Sequence, residues 1–264
     1  ADTPTVNPGD RYAAVLRTMT PTPIKVASCS DKGLVRQTNE DAIATLPEFG
    51  LVVLADGMGG YNAGNVASQL AVETAASNLL SAMQSSQWQP SPSEAVAAAN
   101  GAIFEAIEEQ PELEGMATTM VLGLFHDGQF RYGHVGDSRI YRFRDNALER
   151  LTKDHSMIQE LVDQGLFESV EAALQAGVKN NILTRGVGIE PDVEVDVGVQ
   201  EARQNDIYLF CSDGLSNMIH DPVMEQVLRD LDDDLPSASE RLIGLALENG
   251  GLDNVSVVLV QPVA

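Results

Sequence analysis

Short apolar runs bounded by Asp, Gly, Asn or Pro recur along the chain and predict β-strands. The predicted strands cover residues 24–29, 42–46, 51–55, 118–126, 130–135, 139–144, 193–197, 207–211 and 254–260. The sequence HDGQ, residues 126–129, has the composition of a hairpin turn between two of them.

Helical periodicity fills the intervals between these strands. A long helix over 63–83 has one face of small residues, and a second runs from a Ser cap at Ser91 or Ser93 to about Glu109. A short helix ends at Gly165, and two more cover 222–229 and 236–249. Strands cluster and helices come in pairs instead of alternating, which favours an α+β layered sandwich over a doubly wound parallel sheet.

Composition sets the domain organisation. With 264 residues, 44% of them hydrophobic, the chain is long enough for one domain over 23–264, and the Pro- and Thr-rich residues 1–22 resemble a loose leader. No apolar run is long enough for a bilayer and no signal peptide is predicted. Cys29 and Cys211 are expected to be free thiols in a reducing cytoplasm, with a single disulfide as the weaker alternative.

The net charge of −23 argues against nucleic acid as a partner, because no cluster of basic residues could neutralise phosphates. A phosphate-bearing substrate would therefore need a local field made positive by something other than the overall charge. The acidic run DLDDD at 230–234 is interpreted as a solvated loop, not as a cation site.

Acidic residues stand where apolar strands begin or end, at Asp56, Asp213 and Asp253, and Glu40 and Asp41 directly precede another strand. A single Asp-Gly pair is more often a turn, but several such carboxylates together would repel one another unless a cation held them. All-oxygen ligands suit Mg²⁺ or Mn²⁺, and no His or Cys cluster has zinc spacing.

The residues around these acids have a use in a metal site. The glycines after Asp56 would let the Gly57 carbonyl turn toward a metal and leave room for a substrate. Arg36, four residues before Glu40, is either a solvated surface residue or a bidentate phosphate ligand.

Six short motifs occur in the order and spacing found in the metal-dependent protein phosphatases of the 2C type. They are RQTNED at 36–41, DGMGG at 56–60, GDSR at 136–139, LTRG at 183–186, SDGL at 212–215 and DN at 253–254. The resemblance extends over residues 24–260, and the length is similar to that of the minimal bacterial members. It implies a four-layer α-β-β-α sandwich of two antiparallel sheets flanked by helices, with the metal centre at one end. It also implies hydrolysis of phosphoserine and phosphothreonine in proteins.

Position by position, the resemblance assigns a role to each motif residue, with two or three Mn²⁺ or Mg²⁺ ions as cofactors. Asp56 would bridge two metals, Asp213 and Asp253 would hold the first, and Glu40 with the Gly57 carbonyl would serve the second. The remaining roles are a hydrogen bond to the bridging water or hydroxide for Asp41, phosphate binding for Arg36, a third, weaker metal for Asp137, and orientation of Asp253 or the phosphate for Asn254. For Asp137 and Asn254 a turn role is the open alternative. No covalent intermediate is implied.

One position departs from a widespread pattern of the family: Met58 stands where many members carry a His that protonates the leaving oxygen. A thioether cannot do this, so the proton must come from water or another side chain, with His155 a weak candidate that is more readily interpreted as structural. The segment 156–181 resembles the variable flap beside the active site of these phosphatases.

The expected partners are phosphorylated proteins and a Ser/Thr kinase whose action the enzyme counteracts in bacterial signalling, with a monomeric protein and no membrane contact. Two alternatives stay open: an inactive member that binds phosphoproteins, and a metal-dependent hydrolase acting on phosphodiesters. The complete set of acidic residues disfavours the first alternative, and the lack of a basic groove disfavours nucleic-acid substrates for the second.

Overall fold

The computed structural model describes residues 21–59, 63–84, 90–179, 182–231 and 234–263, so nearly all of the predicted leader lies outside the described residues. The strands are β1 (Ile24–Asp31), β2 (Asp41–Leu46), β3 (Leu51–Met58), β4 (Ala117–Thr118), β5 (Met120–His126), β6 (Gln129–Val135), β7 (Arg139–Arg144), β8 (Ala147–Arg150), β9 (Asp196–Glu201), β10 (Ile207–Cys211) and β11 (Val255–Pro262). The helices are α1 (Ala63–Gln84), α2 (Pro92–Glu109), α3 (Met157–Asp163), α4 (Val170–Gln175), α5 (Asp213–Ser216), α6 (Asp221–Arg229) and α7 (Leu235–Glu248). None of the described helices is long and apolar enough to cross a bilayer.

The strands form two antiparallel sheets. One has the order β1-β11-β10-β7-β8, and the other has the order β2-β3-β5-β6-β9, with β4 beside β3. Apolar side chains from both sheets meet in a central core. A second core lies between the β2–β9 sheet and α1 and α2, and a third between the β1–β8 sheet and α6 and α7. This is the four-layer sandwich that the sequence predicts.

Central strands are covered on both faces, which explains their unbroken apolar runs. In β3, Val52 and Leu54 face the opposite sheet, whereas Leu51, Val53 and Ala55 face the helices. Successive side chains of a strand point to opposite faces, so a strand between two cores needs an apolar residue at every position. Asp56, which follows Ala55, lies where that burial stops.

Several elements differ from the sequence prediction, among them β9, β8 and α4. The strand predicted at 193–197 is β9, which begins only at Asp196 because its register is set by pairing with β6. Strand β8 follows Asp145 and Asn146, whose positive φ angles of 52° and 63° form a tight hairpin turn. Helix α4, capped by the Ser169 side chain, lies in the predicted flap segment 156–181, in which the sequence predicts no helix after Gly165.

The two cysteines are free, and the sheet shows why the disulfide alternative is wrong. Cys29 in β1 and Cys211 in β10 both pair with Val257 of β11, from opposite sides. Two strand spacings of about 4.8 Å each separate their backbones, which exceeds the reach of a disulfide.

Candidate metal centre

Five aspartates from both sheets gather at one end of the sandwich. Asp41 begins β2 and pairs directly with Asp56 of β3, so two carboxylates stand side by side. Asp137 lies in the turn between β6 and β7, Asp213 begins α5 after β10, and Asp253 lies two residues before the start of β11. Residues that are more than 200 positions apart in the chain are therefore brought together at this end of the fold.

Burial and the charges of neighbouring acids raise the pKa values of four of these carboxyls, those of Asp41, Asp56, Asp137 and Asp213. Burial contributes most to the raised pKa of Asp56, followed by the charges of Asp41, Asp213, Asp137 and Asp253, and that pKa lies well above the usual range. Burial, reinforced by the charge of Asp213, raises the pKa of Asp137 to about 8. The pKa of Asp213 is raised by burial and by Asp253. The protein alone does not neutralise this cluster.

Asp41 has one satisfied and one unsatisfied oxygen. Ser212 Oγ donates to Asp41 Oδ2 at 2.9 Å, whereas the buried Asp41 Oδ1 has no hydrogen-bond partner. Burial raises the pKa of Asp41 to about 6, against the lowering effect of hydrogen bonds from Ser256 and Ser212. An unpaired buried oxygen is destabilising, so Oδ1 is suited to a ligand or an ordered water.

The chemistry of this site fits divalent cations. The donors are carboxylate oxygens, which hard ions such as Mg²⁺ and Mn²⁺ prefer. A bound cation would offset the repulsion that raises the pKa values, and it would lower those values again. The site residues that would hold the ions are Asp56, Asp137, Asp213 and Asp253, with Glu40 and Gly57 beside them.

Glu40 and Gly57 are brought together by a close approach of β3 to α1. Gly57 N donates to Glu40 O at 3.1 Å, and Ser68 Oγ of α1 donates to the same carbonyl at 2.5 Å. A Cβ at Gly57 would lie 2.1 Å from Gly64 O, and one at Gly64 would lie 3.0 Å from the Glu40 carboxyl carbon. Only glycine at both positions lets the strand end, the helix start and the Glu40 carboxylate converge.

Arg36 lies on the loop between β1 and β2, at the edge of the acidic cluster. Its Nη2 donates to Asp253 Oδ2 at 2.7 Å, and about half of its side chain is exposed, 51%. Burial lowers the pKa of Arg36, but the hydrogen bond and charge of Asp253, with the charges of Asp56 and Glu40, outweigh it and raise that pKa. The guanidinium is therefore charged, accessible and beside the candidate metal ligands.

Asn254 ties the loop that carries Arg36 to the start of β11. Its Nδ2 donates to Lys32 O and Thr38 O, both at 2.9 Å, and its Oδ1 accepts from Glu40 N at 2.8 Å. The backbone N–H of Asn254 donates to Asp253 Oδ1 at 2.8 Å. The hydrogen bonds of the buried Asn254 side chain thus go to the loop, whereas its backbone N–H orients Asp253.

Sequence reasoning missed a set of hydroxyl groups that hold the acids in place. Ser256 N donates to Ser212 Oγ at 2.9 Å, and Ser256 Oγ is 2.7 Å from Ser30 Oγ. On the other sheet, Thr119 Oγ1 accepts from Asp56 N at 3.0 Å and is 2.7 Å from Ser138 Oγ. The sequence feature that could have identified these groups is a Ser within an otherwise apolar run, such as Ser256 in the VSVVLV run of β11.

Two histidines form hydrogen bonds with the turn that carries Asp137. His155 Nδ1 accepts from Gly136 N at 3.1 Å, and His134 Nε2 is 2.8 Å from Gly136 O. His155 Nε2 lies 3.2 Å from Asp196 Oδ2. Gly136 has a φ of +104°, a conformation that L side chains rarely adopt.

The ring nitrogens of His134 and His155 and a carboxylate oxygen of Asp196 lie within 4.8 Å of one another, as in many metal sites. Because His155 Nδ1 accepts an N–H, the proton of the neutral ring must be on Nε2, where it donates to Asp196. That nitrogen has no lone pair left for a metal. His155 is therefore a hydrogen-bonded structural residue.

Met58 lies two residues after Asp56, and the predicted flap follows strand β8. Met58 ends β3, is half-buried and pairs with Ala117 of β4. The predicted flap, 156–181, contains α3 and α4, and residues 180 and 181 lie outside the described residues. Ser156 and Leu183 form an isolated bridge that closes the base of this segment.

Comparisons with known proteins agree with this geometry. A family model described as protein phosphatase 2C matches residues 27–242. The serine/threonine protein phosphatase PstP of Mycobacterium tuberculosis is 39% identical over 251 residues, which are 91% of this chain and 45% of that protein. This chain therefore spans about half the length of that relative. The serine/threonine phosphatase stp of Listeria monocytogenes is 36% identical over 88% of this chain and 93% of its own.

Solved structures extend the similarity to the fold. A crystal structure of the catalytic domain of PstP in complex with two manganese ions superposes with a TM-score of 0.78 and 38% identity. The superposition covers 91% of this chain and 99% of that one.

Proposed function

The chain belongs to the protein phosphatase 2C family, and on this basis we propose that it is a metal-dependent phosphatase that hydrolyses phosphoserine and phosphothreonine in proteins. The observation that carries the proposal is the cluster of five partly buried aspartates, four of them with raised pKa values, beside the accessible guanidinium of Arg36. A −23 chain with this cluster can receive a phosphate dianion only where cations invert the local field.

The chain's own residues have defined tasks in this reaction. Bound divalent cations would supply activation of water and neutralisation of the phosphoryl oxygens. Arg36 holds the phosphate through its guanidinium, which orients phosphorus for in-line attack and spreads charge over its oxygens. Asp41 Oδ1, which has no partner, accepts a hydrogen bond from the attacking water and directs its lone pair at phosphorus.

Hydrolysis then breaks the bond between phosphorus and the Ser or Thr oxygen, and the departing oxygen must gain a proton. Met58 has no proton to give, so we assign that step to water. No cysteine has the properties of a phosphate-binding nucleophile, since burial raises the pKa of Cys211 to about 12 and Cys29 also has a raised pKa.

The biological setting follows from the relatives as part of the same proposal. The similar proteins are bacterial serine/threonine phosphatases, which supports phosphorylated proteins as substrates and a Ser/Thr kinase as the opposing enzyme. We further propose a monomer that acts in the cytoplasm. The free cysteines are compatible with that compartment.

The deciding experiment measures release of phosphate from a phosphothreonine peptide with Mn²⁺, and again with excess chelator. We expect activity that requires the metal, that Asp213→Asn abolishes, and that the exposed control Asp192→Asn leaves intact. Metal-dependent binding of the peptide without phosphate release would instead identify a phosphoprotein-binding module. Activity confined to bis(p-nitrophenyl) phosphate would identify a phosphodiesterase.

A further inference from the structure

Three large apolar side chains are exposed on the two loops that carry Arg36 and Asp253. Leu34, Val35 and Leu252 are exposed by 68%, 57% and 57%. We call these three residues the loop patch. Single exposed apolar residues are ordinary, but several on adjoining loops typically mark a contact surface.

The two loops form one unit beside the proposed phosphate site. Leu34 N donates to Gly251 O at 2.7 Å, and a Cβ at Gly251 would lie 3.1 Å from Leu34 Cγ, so the Leu34 side chain rests over Gly251. The bond from Arg36 to Asp253 joins the same loops. Leu34 and Val35 thus lie within two residues of the phosphate-binding arginine, and Leu252 is next to a candidate metal ligand.

A bound substrate has to pass over this surface. When the phosphate of a phosphorylated residue is held at Arg36, neighbouring residues of the substrate extend at most about 3.3–3.6 Å per position. Side chains one to three positions away therefore reach the loops on which the patch lies. Apolar side chains at those positions would bury surface against the patch, whereas polar or charged ones would gain no such burial.

We propose that the loop patch is a subsite for an apolar side chain that flanks the phosphorylated residue of the protein substrate, within about three positions. This inference rests on the proposed phosphatase function and specifies its substrate class. The occupant is an aliphatic or aromatic residue of the substrate, held by burial of apolar surface and not by a directed hydrogen bond.

The test compares two phosphothreonine peptides that differ only in having Leu or Gln at the three positions on each side of the phosphorylated residue. The wild-type protein with Mn²⁺ is expected to show a higher kcat/KM for the Leu peptide. Leu34→Gln with Leu252→Gln should reduce that value by about 3- to 10-fold, the range expected for partial loss of apolar contact. The Gln peptide and p-nitrophenyl phosphate, which has no flanking residues, should be affected little.

Val199→Gln is the matched control, because Val199 has a similar exposure of 58% and lies on the edge strand β9. An equal loss on both peptides and on p-nitrophenyl phosphate would overturn the inference, since it would show damage to the metal centre. Hydrolysis without any preference between the peptides would also overturn it and leave the proposed function standing. No hydrolysis of any monoester by the wild type would overturn both. A change in oligomeric state in Leu34→Gln would reassign the patch to contact between copies of the chain.

Discussion

Asp41 and Asp56 lie directly opposite each other across the β2–β3 pair, and burial is the main cause of the raised pKa of each. The charge of Asp41 raises the pKa of Asp56 further, and the charge of Asp213 contributes to the raised pKa of Asp41. Like charges placed opposite each other in a sheet are destabilising. The fold therefore holds these two acids together at a free-energy cost that only a bound cation or a proton relieves.

Asp56→Asn and Asp253→Asn should each reduce turnover by orders of magnitude, because each removes a metal ligand. In metal-free protein at neutral pH we expect Asp56→Asn to raise the free energy of unfolding by more than about 1 kcal/mol, since it removes a buried, repelled carboxyl. Phosphate release and urea unfolding measure the two effects. Unaltered turnover in either variant would contradict the metal-centre assignment.

The stability of the metal-free protein should fall as pH rises from about 4 to 8. The pKa of Asp41 is raised to about 6 and that of Asp137 to about 8, so the folded protein keeps protons that the unfolded chain releases from about pH 4 upward. Asp137→Asn should reduce the loss of stability up to about pH 8, because the variant lacks the carboxyl that contributes to it. The measurement is the thermal midpoint against pH with chelator present. Saturating Mn²⁺ should remove the fall, because bound metal favours the ionised carboxyls.

Arg36→Ala should raise KM for a phosphopeptide with a smaller effect on kcat, as expected for lost binding of the ground-state phosphate. The variant also frees Asp253 from its ion pair, so the apparent affinity for Mn²⁺ should not fall. Arg36→Lys keeps the charge but not the two-pronged geometry of the guanidinium, so its KM should lie between those of the wild type and Arg36→Ala. A collapse of kcat with KM unchanged would instead assign Arg36 a transition-state role.

Asn254→Ala should destabilise the protein by about 2–4 kcal/mol, because two carbonyls and one N–H of the Arg36 loop lose their partner. Asn254→Asp should be worse, although it is nearly isosteric, since a carboxylate oxygen would face Lys32 O and Thr38 O. Urea unfolding of the metal-free variants provides the comparison. Equal stability of the two variants would show that these bonds do not hold the loop.

Met58→His should favour alkyl phosphates over p-nitrophenyl phosphate, whose phenol leaves without help. A general acid contributes typically about 10²–10⁴-fold, and it matters most for a basic leaving oxygen. A new alkaline limb should appear in the pH–rate profile for phosphothreonine peptide. Equal changes on both substrates, without a new ionisation, would show that position 58 has no path to the leaving group.

The sequence predicts best those parts of the structure that one chemical requirement determines, such as the burial of both faces of a strand. Strands at 51–55 and 207–211 are unbroken apolar runs because both faces are buried, and Asp56 and Asp213 stand out by ending them. Asp253 was found in the same way, ahead of β11.

Other features depend on contacts that no local pattern shows. Ser212 and Ser256 are ordinary small residues until the sheet places them beside Asp41. His134 and His155 meet only because both bind Gly136. The alternating sequence around β9 fits several boundaries, and pairing with β6 selects one.

The pairing of β1 with β11 has a consequence for biosynthesis. Among the described residues, 24–31 pair only with 255–262, so β1 has no partner in its own sheet until β11 has been made. At about 5–20 residues per second, the ribosome needs roughly 10–45 s to cover that interval. The same late segment supplies Asp253 and Asn254, which hold the loop that carries Arg36 in position. The candidate metal centre is therefore incomplete until this segment has been made, and a ribosome that stalls before it releases a chain without the complete centre.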